Sequence, residues 1–131
     1  MALSRLDMNK NCIFCNIEQE RVLAENELCF AIRDGFPVSD GHTLIIPKRH
    51  VANYFDLTDE EVMAMQVMMK KLKVQLDTEL SPDGYNIGIN VNEAAGQTVF
   101  HVHMHLIPRY KGDVENPRGG VRGVIPDKQK Y

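Results

Sequence analysis

A single long helical segment followed by two alternating strands restricts this chain to few folds. Thr58 is a candidate N-cap and Glu61 completes a capping box, in which the cap and the residue three positions later bond each other's backbone. Apolar residues then follow at steps of three and four, which predicts a helix over residues 58–80. Its predicted buried face consists of Val62, Met65, Met69, Leu72 and Leu76. The sequence Ser-Pro-Asp-Gly at 81–84 ends the helix.

The strands predicted on either side of this helix make the fold class α+β. Strand-like apolar runs at 28–33 and 42–46 precede the helix, and period-two alternation follows it at 85–91 and 98–107. A short turn at 92–97 joins the last two strands, so they must pair antiparallel. We therefore predict an antiparallel sheet that carries the helix on one face.

Length and composition exclude several other classes of protein. A chain of 131 residues, 44% apolar and 25% charged, predicts one globular domain rather than a disordered chain, a collagen-like repeat or a coiled coil. No apolar run approaches the ~20 residues that span a bilayer, so no membrane partner is expected. The N-terminal sequence lacks the apolar segment of a secretory signal, and three cysteines are an odd number for a disulfide framework. We therefore expect a cytoplasmic protein.

The net charge of −3 is unevenly distributed along the chain. Residues 109–131 carry six Lys or Arg and three Asp or Glu, a net +3, whereas residues 1–108 carry nine against fifteen, a net −6. A basic tail on an acidic body suits a small phosphate ligand better than a nucleic acid, which needs a broad basic face. We expect no nucleic-acid partner. A solvated extension that binds nothing is the alternative interpretation.

Three of the five histidines stand at alternate positions, His101, His103 and His105. On a strand they would share one face, which an ordinary exposed strand would fill with Thr, Lys or Glu. The outer two would lie roughly 13 Å apart on that strand. One zinc ion, with Zn–N bonds of ~2.1 Å, cannot join them. The middle imidazole can instead act alone as a nucleophile toward phosphorus, provided that a hydrogen bond fixes its tautomer.

The motif His-φ-His-φ-His-φ-φ, met in full by residues 101–107, resembles the histidine-triad (HIT) family of nucleotide hydrolases and transferases. The resemblance covers about residues 12–110, including the stretches 41–48 and 90–99, and residues 95–109 are most similar to the fragile-histidine-triad branch, which cleaves diadenosine polyphosphates. It implies a sheet of about five strands with one long helix and a short N-terminal helix, and two sheets joined across a two-fold homodimer.

The resemblance also implies the domain organisation and the catalytic residues. It implies a HIT domain over residues 1–110 and a basic C-terminal extension over residues 111–131, packed on the same domain or on its dimer partner. His103 resembles the nucleophile that attacks the α-phosphorus and forms a nucleotidyl-histidine intermediate. His105 corresponds to the partner that holds the phosphate oxygens, and His101 helps to position the group. Gln97 corresponds to a contact on the phosphate and leaving-group side.

Four further residues correspond to substrate-binding positions of the family. Asp34 falls where the family binds the ribose hydroxyls, and His42 resembles a supporting histidine beside the triad. Asn92 matches a pocket-lining asparagine, and Thr98 matches a hydroxyl residue at the phosphate. The base is expected in an apolar slot near Phe14, Ile32 and Phe36.

Cys12 and Cys15 form a second candidate site, Cys-x-x-Cys. A thioredoxin-like redox motif needs a preceding strand, and none is predicted before this pair. A zinc site needs two more ligands. The resemblance to bacterial triad proteins and to galactose-1-phosphate uridylyltransferases implies a structural zinc held by Cys12, Cys15, His50 and His101. A pair of thiols without metal is the alternative interpretation, and the third cysteine, Cys29, is expected as a small buried apolar residue.

We therefore expect a nucleotide hydrolase that acts through His103 on diadenosine polyphosphates and releases AMP, with Mg²⁺ as a possible companion of the polyphosphate. An adenosine phosphoramidate hydrolase is the alternative enzyme, and a low-turnover adenine-nucleotide-binding adaptor is the alternative from another class. In the tail, Arg118 and Arg122 are candidates to bind the polyphosphate, or to belong to a surface arm.

Overall fold

A computed structural model describes residues 9–131, which form five strands, one α-helix and several short 3-10 turns. The elements are β1 (Val22–Glu25), β2 (Cys29–Arg33), β3 (Thr43–Pro47), α1 (Asp59–Leu80), β4 (Gly84–Gly88) and β5 (Met104–Arg109). The polar composition of residues 1–11 predicts an irregular segment, and most of it, residues 1–8, lies outside the described residues. Within residues 9–131, no helix is both long enough and apolar enough to cross a bilayer.

The five strands form one antiparallel sheet in the order β1-β2-β3-β5-β4. The predicted α+β class, with a five-stranded antiparallel sheet and one long helix, is therefore confirmed. The strand that sequence alternation did not locate is β1, which pairs along β2 with a register irregularity after Val22. In the centre of the sheet, His105 of β5 lies between Leu44 of β3 and Gly88 of β4.

The helix begins and ends where local sequence signals place it. The Thr58 hydroxyl accepts a hydrogen bond from the Glu61 N–H at 3.1 Å, and the Glu61 carboxylate accepts one from the Thr58 N–H at 2.9 Å, so the predicted capping box is present. Ser81 ends the helix in a left-handed conformation with φ of 48°. The apolar side chains buried by α1 are Met65, Met68, Leu72 and Leu76. Met68 replaces the predicted Met69, which is partly buried at the edge of the core.

Both faces of the sheet are covered. Helix α1 packs on one face with a core that includes Ala31, Ile45, Met104 and Leu106. The N-terminal segment packs on the other face, where Cys12, Phe14 and Cys15 meet Phe30, Ile32, Leu44 and Ile46. On this second face, the buried cluster is built on β2 and β3 with Val22 of β1 packed against it, and His105 of β5 is partly buried.

Three predicted elements differ in the structure. The strand predicted over 98–107 is wrong in its first half, because β5 begins at Met104 and residues 99–101 form bends. The chain leaves the sheet there since the Val102 N–H bonds the Val51 carbonyl at 2.7 Å. The strand predicted over 85–91 ends earlier, at Gly88. The short N-terminal helix is present as one 3-10 turn, Gln19–Arg21.

Candidate active site

A cleft of about 480 Å³ opens on the sheet face opposite helix α1. The residues that line it include five of the predicted site residues, namely Asp34, His42, Thr98, His103 and His105, and the three residues predicted for the base slot, namely Phe14, Ile32 and Phe36. Apolar side chains therefore share the wall of this cleft with imidazole and carboxylate groups. The arrangement suits a ligand with a flat apolar part and a polar, anionic part.

His103 is held in one tautomer by the backbone of the residue two positions before it. Its Nδ1 lies 2.8 Å from the His101 carbonyl oxygen. A carbonyl only accepts hydrogen bonds, so Nδ1 carries the proton and Nε2 carries the lone pair. The edge-on contact with the Phe14 ring, at a centroid distance of 4.9 Å, further restrains the imidazole. His103 is therefore prepared to act as a nucleophile through Nε2.

A chain of hydrogen bonds fixes the proton on His105. His42 Nδ1 accepts a hydrogen bond from the Val38 N–H at 3.1 Å, so His42 Nε2 is protonated. This Nε2–H lies 2.9 Å from His105 Nδ1 and 3.4 Å from an Asp34 carboxylate oxygen. His105 Nδ1 is therefore an acceptor, and the proton of His105 resides on Nε2. The same hydrogen bonds account for the proximity of these three side chains, which resembles a metal-ligand cluster.

Burial keeps His105 neutral. Desolvation, followed by the neighbouring imidazoles of His103 and His42, lowers the pKa of His105 to about 4. Desolvation also lowers the pKa of His42, against the opposing effect of Asp34. The neutral ring supplies an Nε2–H. This N–H can donate to a phosphate oxygen without a net positive charge on the ring.

Asp34 contributes a carboxylate to the cleft wall. One of its oxygens accepts the Phe36 N–H at 2.8 Å, which fixes the turn after β2. Its side chain is mostly covered but lines the cleft. A carboxylate in this position can accept hydrogen bonds from a sugar diol, and the ribose contact of Asp34 stays a prediction.

Gln97 lies elsewhere than predicted. Its side chain is only 3% exposed and does not line the cleft. Its amide group donates to the Ala52 carbonyl at 2.7 Å and to the Val99 carbonyl at 3.1 Å, and its oxygen accepts the Asn92 N–H at 2.8 Å. The amide is therefore fully used in fixing the loop that precedes the histidines. The phosphate contact of Gln97 stays a prediction, and it would require the side chain to exchange these loop partners for the ligand.

Asn92 also lies outside the cleft. It is exposed, has a φ of 73°, and faces the Asn53 amide at 3.4 Å. Two lining residues were missed instead, Asn90 and Arg21. Asn90 and Asn92 stand two positions apart in the same sequence motif, and the turn geometry places Asn90, not Asn92, in the cleft wall. Nothing in the sequence marks Arg21, which the 3-10 turn before β1 brings to the cleft.

The four predicted metal ligands converge on the N-terminal side of the cleft. The ligand atoms of Cys12, Cys15, His50 and His101 all lie within 4.8 Å of one another. His101 Nδ1 is 3.4 Å from Cys12 Sγ and 3.5 Å from Cys15 Sγ, and His50 Nδ1 is 3.2 Å from Cys15 Sγ. In a tetrahedral zinc site, such N and S atoms are about 3.6 Å apart. The donor set therefore has the size and composition of a closed zinc site.

The tautomer of His101 also fits a metal. Its Nε2 donates to the Pro47 carbonyl at 2.7 Å, which leaves the Nδ1 lone pair directed at the two sulfur atoms. His101 is completely buried, and desolvation lowers the pKa of this imidazole to about 4. It is therefore neutral, as a ligand must be. The Asn16 amide, which donates to the Cys12 carbonyl at 2.7 Å, closes the loop that carries both cysteines.

Positive charge is scarce around the cleft. Among the described residues that line it, Arg21 is the single Lys or Arg. The tail arginines that were candidates for a polyphosphate are not among them. Arg118 and Arg122 instead lie over the Tyr131 ring, at 5.0 and 4.8 Å from its centroid. The basic tail therefore does not supply its charge to this cleft.

Comparisons with known proteins point to one family. A family model described as HIT domain matches residues 17–112. A HIT-like protein of Mycoplasma pneumoniae is 46% identical over 107 residues, which cover 79% of this chain and 74% of the relative. A bis(5'-adenosyl)-triphosphatase of Dictyostelium discoideum is 39% identical, covering 76% of this chain and 67% of the relative. An adenosine 5'-monophosphoramidase of Schizosaccharomyces pombe is 38% identical, covering 76% and 74%.

Solved structures agree with the sequence comparisons. A HIT family protein from Bacillus anthracis superposes with a TM-score of 0.74 at 41% identity, covering 79% of this chain and 77% of that chain. A zinc-bound histidine triad family protein from Mycobacterium smegmatis superposes with a TM-score of 0.73 at 37% identity, covering 81% and 80%. The shared fold extends over most of both proteins.

Proposed function

This chain belongs to the HIT domain family and is a nucleotide hydrolase, and from that premise we propose that it works through a covalent intermediate on His103. The observation that carries the proposal is the 2.8 Å hydrogen bond from His103 Nδ1 to the His101 carbonyl, which leaves Nε2 as the nucleophilic atom in the cleft. The base of the substrate packs against the apolar side chains Phe14, Ile32 and Phe36 of the cleft wall, with its ribose on Asp34.

The reaction proceeds in two displacements at the same phosphorus. His103 Nε2 attacks the α-phosphorus, a P–N bond forms, and the bond from phosphorus to the leaving group breaks. The leaving group departs with the bonding electron pair and takes a proton from solvent. Water then attacks phosphorus, the bond to His103 breaks, and a nucleoside monophosphate and a proton are released. His105 Nε2–H donates to the equatorial oxygens, where negative charge develops.

The covalent intermediate can be observed directly. We expect intact-mass spectra of protein mixed briefly with substrate, and quenched at alkaline pH, to show the addition of one nucleoside monophosphate group. Peptide mapping should place it on His103. A low-turnover nucleotide-binding adaptor, the alternative function, would bind nucleotide without the adduct. Turnover with no adduct in single-turnover experiments would contradict the proposed mechanism.

The cleft favours a neutral leaving group. The motif favoured diadenosine polyphosphates, and the name of the Dictyostelium relative supports that substrate. The name of the Schizosaccharomyces relative supports adenosine phosphoramidate instead. A polyphosphate leaving group carries several negative charges, yet Arg21 is the single Lys or Arg on the described cleft wall, at the end near Gly35. Adenosine phosphoramidate is therefore the substrate that we favour, and a polyphosphate would need Mg²⁺ to compensate its charge.

This choice predicts a ranking of substrates. With wild-type protein and no added Mg²⁺, kcat/KM for adenosine 5'-phosphoramidate should exceed that for diadenosine tri- or tetraphosphate by at least about tenfold, as expected when anionic oxygens meet no cation. Steady-state assays with and without Mg²⁺ measure the ratio. If either diadenosine polyphosphate is cleaved faster than adenosine 5'-phosphoramidate in the absence of Mg²⁺, the preferred substrate is a diadenosine polyphosphate instead.

We also propose that Cys12, Cys15, His50 and His101 hold zinc, as the donor set and the zinc-bound neighbour support. A closed Cys2His2 site has no open position for water, so the metal would supply structural restraint rather than chemistry at phosphorus. Its contribution to the reaction is to hold His101, whose carbonyl orients His103. A cytoplasmic location stays a proposal that rests on the odd number of cysteines in the sequence.

A homodimer is the proposed assembly, and the exposed face of α1 supports it. Met63, Val67 and Val74 are all more than half exposed and form one stripe, opposite the buried face of the helix. An apolar stripe on the solvent face of a helix is typical of a shared interface. The sheet also ends in an open edge at β4.

We expect the double variant Val67→Glu, Val74→Glu to be monomeric, because four charges would be buried without partners at a two-fold interface. Light scattering at tens of micromolar should give twice the chain mass for wild type and the chain mass for the variant. Val114→Glu changes an exposed valine away from the helix and should stay dimeric. A monomeric wild type would contradict the proposed assembly.

A further inference from the structure

The loop before β5 is held in place by one segment of the chain, residues 47–52, at the end of β3. The Pro47 carbonyl accepts the His101 imidazole N–H at 2.7 Å. The Val51 carbonyl accepts the Val102 N–H, also at 2.7 Å. Both the side chain of His101 and the backbone next to it are therefore bonded to this segment. Its position decides where the His101 carbonyl lies, and that carbonyl sets the tautomer of the nucleophile.

Arg49, in the middle of this segment, attaches it to the first turn of helix α1. Arg49 Nε donates to one oxygen of the Glu61 carboxylate at 3.2 Å, and a terminal guanidinium nitrogen donates to the other oxygen at 2.7 Å. The same terminal nitrogen donates to the Asp56 carbonyl at 3.3 Å. A guanidinium that bonds both oxygens of a carboxylate is fixed in direction as well as in distance.

Glu61 is buried, with 4% of its surface exposed. Burial acts to raise the pKa of this carboxyl, but the hydrogen bonds from Arg49 and Thr58 outweigh it and hold the pKa below its ordinary value. A buried ion pair is a weak source of stability, because apolar side chains of similar volume often stabilise a fold as well or better. A glutamine would also complete the capping box. The charge at position 61 therefore has a use beyond helix capping, and its charged partner is the residue next to His50.

We propose that Glu61 is a positioning residue for the nucleophile His103. The inference rests on the proposed function and deepens it. Glu61 does not line the active-site cleft, so it acts through other residues. Through Arg49 it holds residues 47–52 against α1, and through that segment it holds His101. Without the ion pair the segment loosens, and His103 samples the tautomer whose Nε2 carries the proton and cannot attack phosphorus.

The test is Glu61→Gln, which keeps the shape of the side chain and an oxygen for the Thr58 N–H but removes the charge that pairs with Arg49. With adenosine 5'-phosphoramidate, kcat should fall by about tenfold or more, because a displaced reacting group slows the chemical step. KM should stay within about twofold of wild type, because the cleft wall is unchanged. Long-range proton–nitrogen NMR of the His103 ring reports its tautomer without substrate. Wild type should show the proton on Nδ1, and the variant a mixture of both tautomers.

Thr58→Val is the matched control, because it removes the hydroxyl that caps the same helical turn and leaves both carboxylate–guanidinium bonds in place. It should lower the melting temperature, as loss of a helix cap does, and keep the kcat and the His103 tautomer of wild type. An equal fall of kcat in Thr58→Val would trace the effect to lost stability and overturn the proposal. Unchanged kcat and tautomer in Glu61→Gln would overturn it as well.

Arg49→Lys is the second variant, and it should fold because the Arg49 side chain is 40% exposed. Lysine keeps a positive charge beside Glu61 but lacks the planar fork, so the fall of kcat and the mixing of tautomers should be smaller than in Glu61→Gln. If Glu61→Gln does not fold, wild-type kcat and tautomer in Arg49→Lys would overturn the proposal. Absence of turnover by wild type with every nucleotide would refute the proposed function instead, and the NMR comparison would still decide whether Glu61 positions His103.

Discussion

His103→Asn should lower kcat by at least about 10³-fold while nucleotide binding survives. Loss of the nucleophile of a catalytic unit has effects of this size or larger, because the covalent route is then closed. The asparagine keeps a side-chain amide that can still bond the His101 carbonyl, so the cleft should keep its shape. Steady-state kinetics measures kcat, and titration with a nucleoside monophosphate measures the dissociation constant, which should change only a few-fold.

Chemical rescue separates lost chemistry from damaged structure. In His103→Ala, imidazole added to the solution should restore part of the turnover, since the cavity left by the side chain admits a free nucleophile. His105→Leu is the comparison, because it removes a phosphate donor, keeps the nucleophile and opens no cavity for a free imidazole, so imidazole should not restore its activity. Residual activity above a tenth of wild type in His103→Asn would remove His103 from the role of nucleophile.

Replacing both Cys12 and Cys15 by serine should abolish metal binding and lower the melting temperature on the order of 10 °C or more. Wild-type protein purified without chelators should contain close to one equivalent of zinc by elemental analysis. The loss of stability follows because Cys12, Cys15 and the imidazole of His101 are buried together, and metal coordination would link the N-terminal segment to the loop before β5.

Cys29→Ala is the control for this experiment. Cys29 is completely buried on the opposite side of the sheet, in the core that packs α1, and belongs to no ligand cluster of the described residues. It should keep its zinc and lose only the stability of one buried side-chain group, about 1 kcal/mol. Wild-type protein without zinc would contradict the site and leave Cys12 and Cys15 as thiols.

The elements that local signals define were predictable. The helix carries its capping box within four residues and its apolar period within one segment, so residues 58–80 were placed within one residue of α1. The antiparallel pairing of β4 and β5 was predicted from a short turn at 92–97, and the pairing is present although the connection, residues 89–103, is longer than predicted. By contrast, the four-residue strand β1 has little alternation to detect, and it is fixed by backbone pairing with β2, the next strand along the chain.

The orientation of the histidines was not predictable from alternation. The motif identified all three residues, but a continuous strand would have placed them on one face. The structure instead bends the chain at residues 99–101, and buries His101 between Pro47 and the two cysteines. Tertiary contacts with residues more than 50 positions away decide this bend, so the tautomers of His103 and His105 become visible only in the folded chain.

The remaining differences arise in irregular segments. The sequence pattern does not distinguish Asn90 from Asn92. In the structure, the positive φ of Asn92 directs that residue away from the cleft, and Asn90 lines it. Gln97 has three backbone partners that no local rule anticipates. The positive charge of residues 109–131 suggested that the tail binds phosphate. In the structure, two valines of the tail line a second cleft, and the Arg122 guanidinium donates to a backbone carbonyl of the tail itself.

His101 takes part in both the candidate metal cluster and the orientation of the nucleophile, so it connects the stability of the fold with catalytic activity. Its imidazole belongs to the ligand cluster, and its carbonyl, in the same residue, sets the tautomer of the nucleophile. Active sites are commonly strained, so that stabilising substitutions often lower activity. Here stability and catalytic activity should rise and fall together across variants of the Cys2His2 cluster. Directed evolution for heat resistance at this cluster should therefore enrich, rather than deplete, the catalytically competent population.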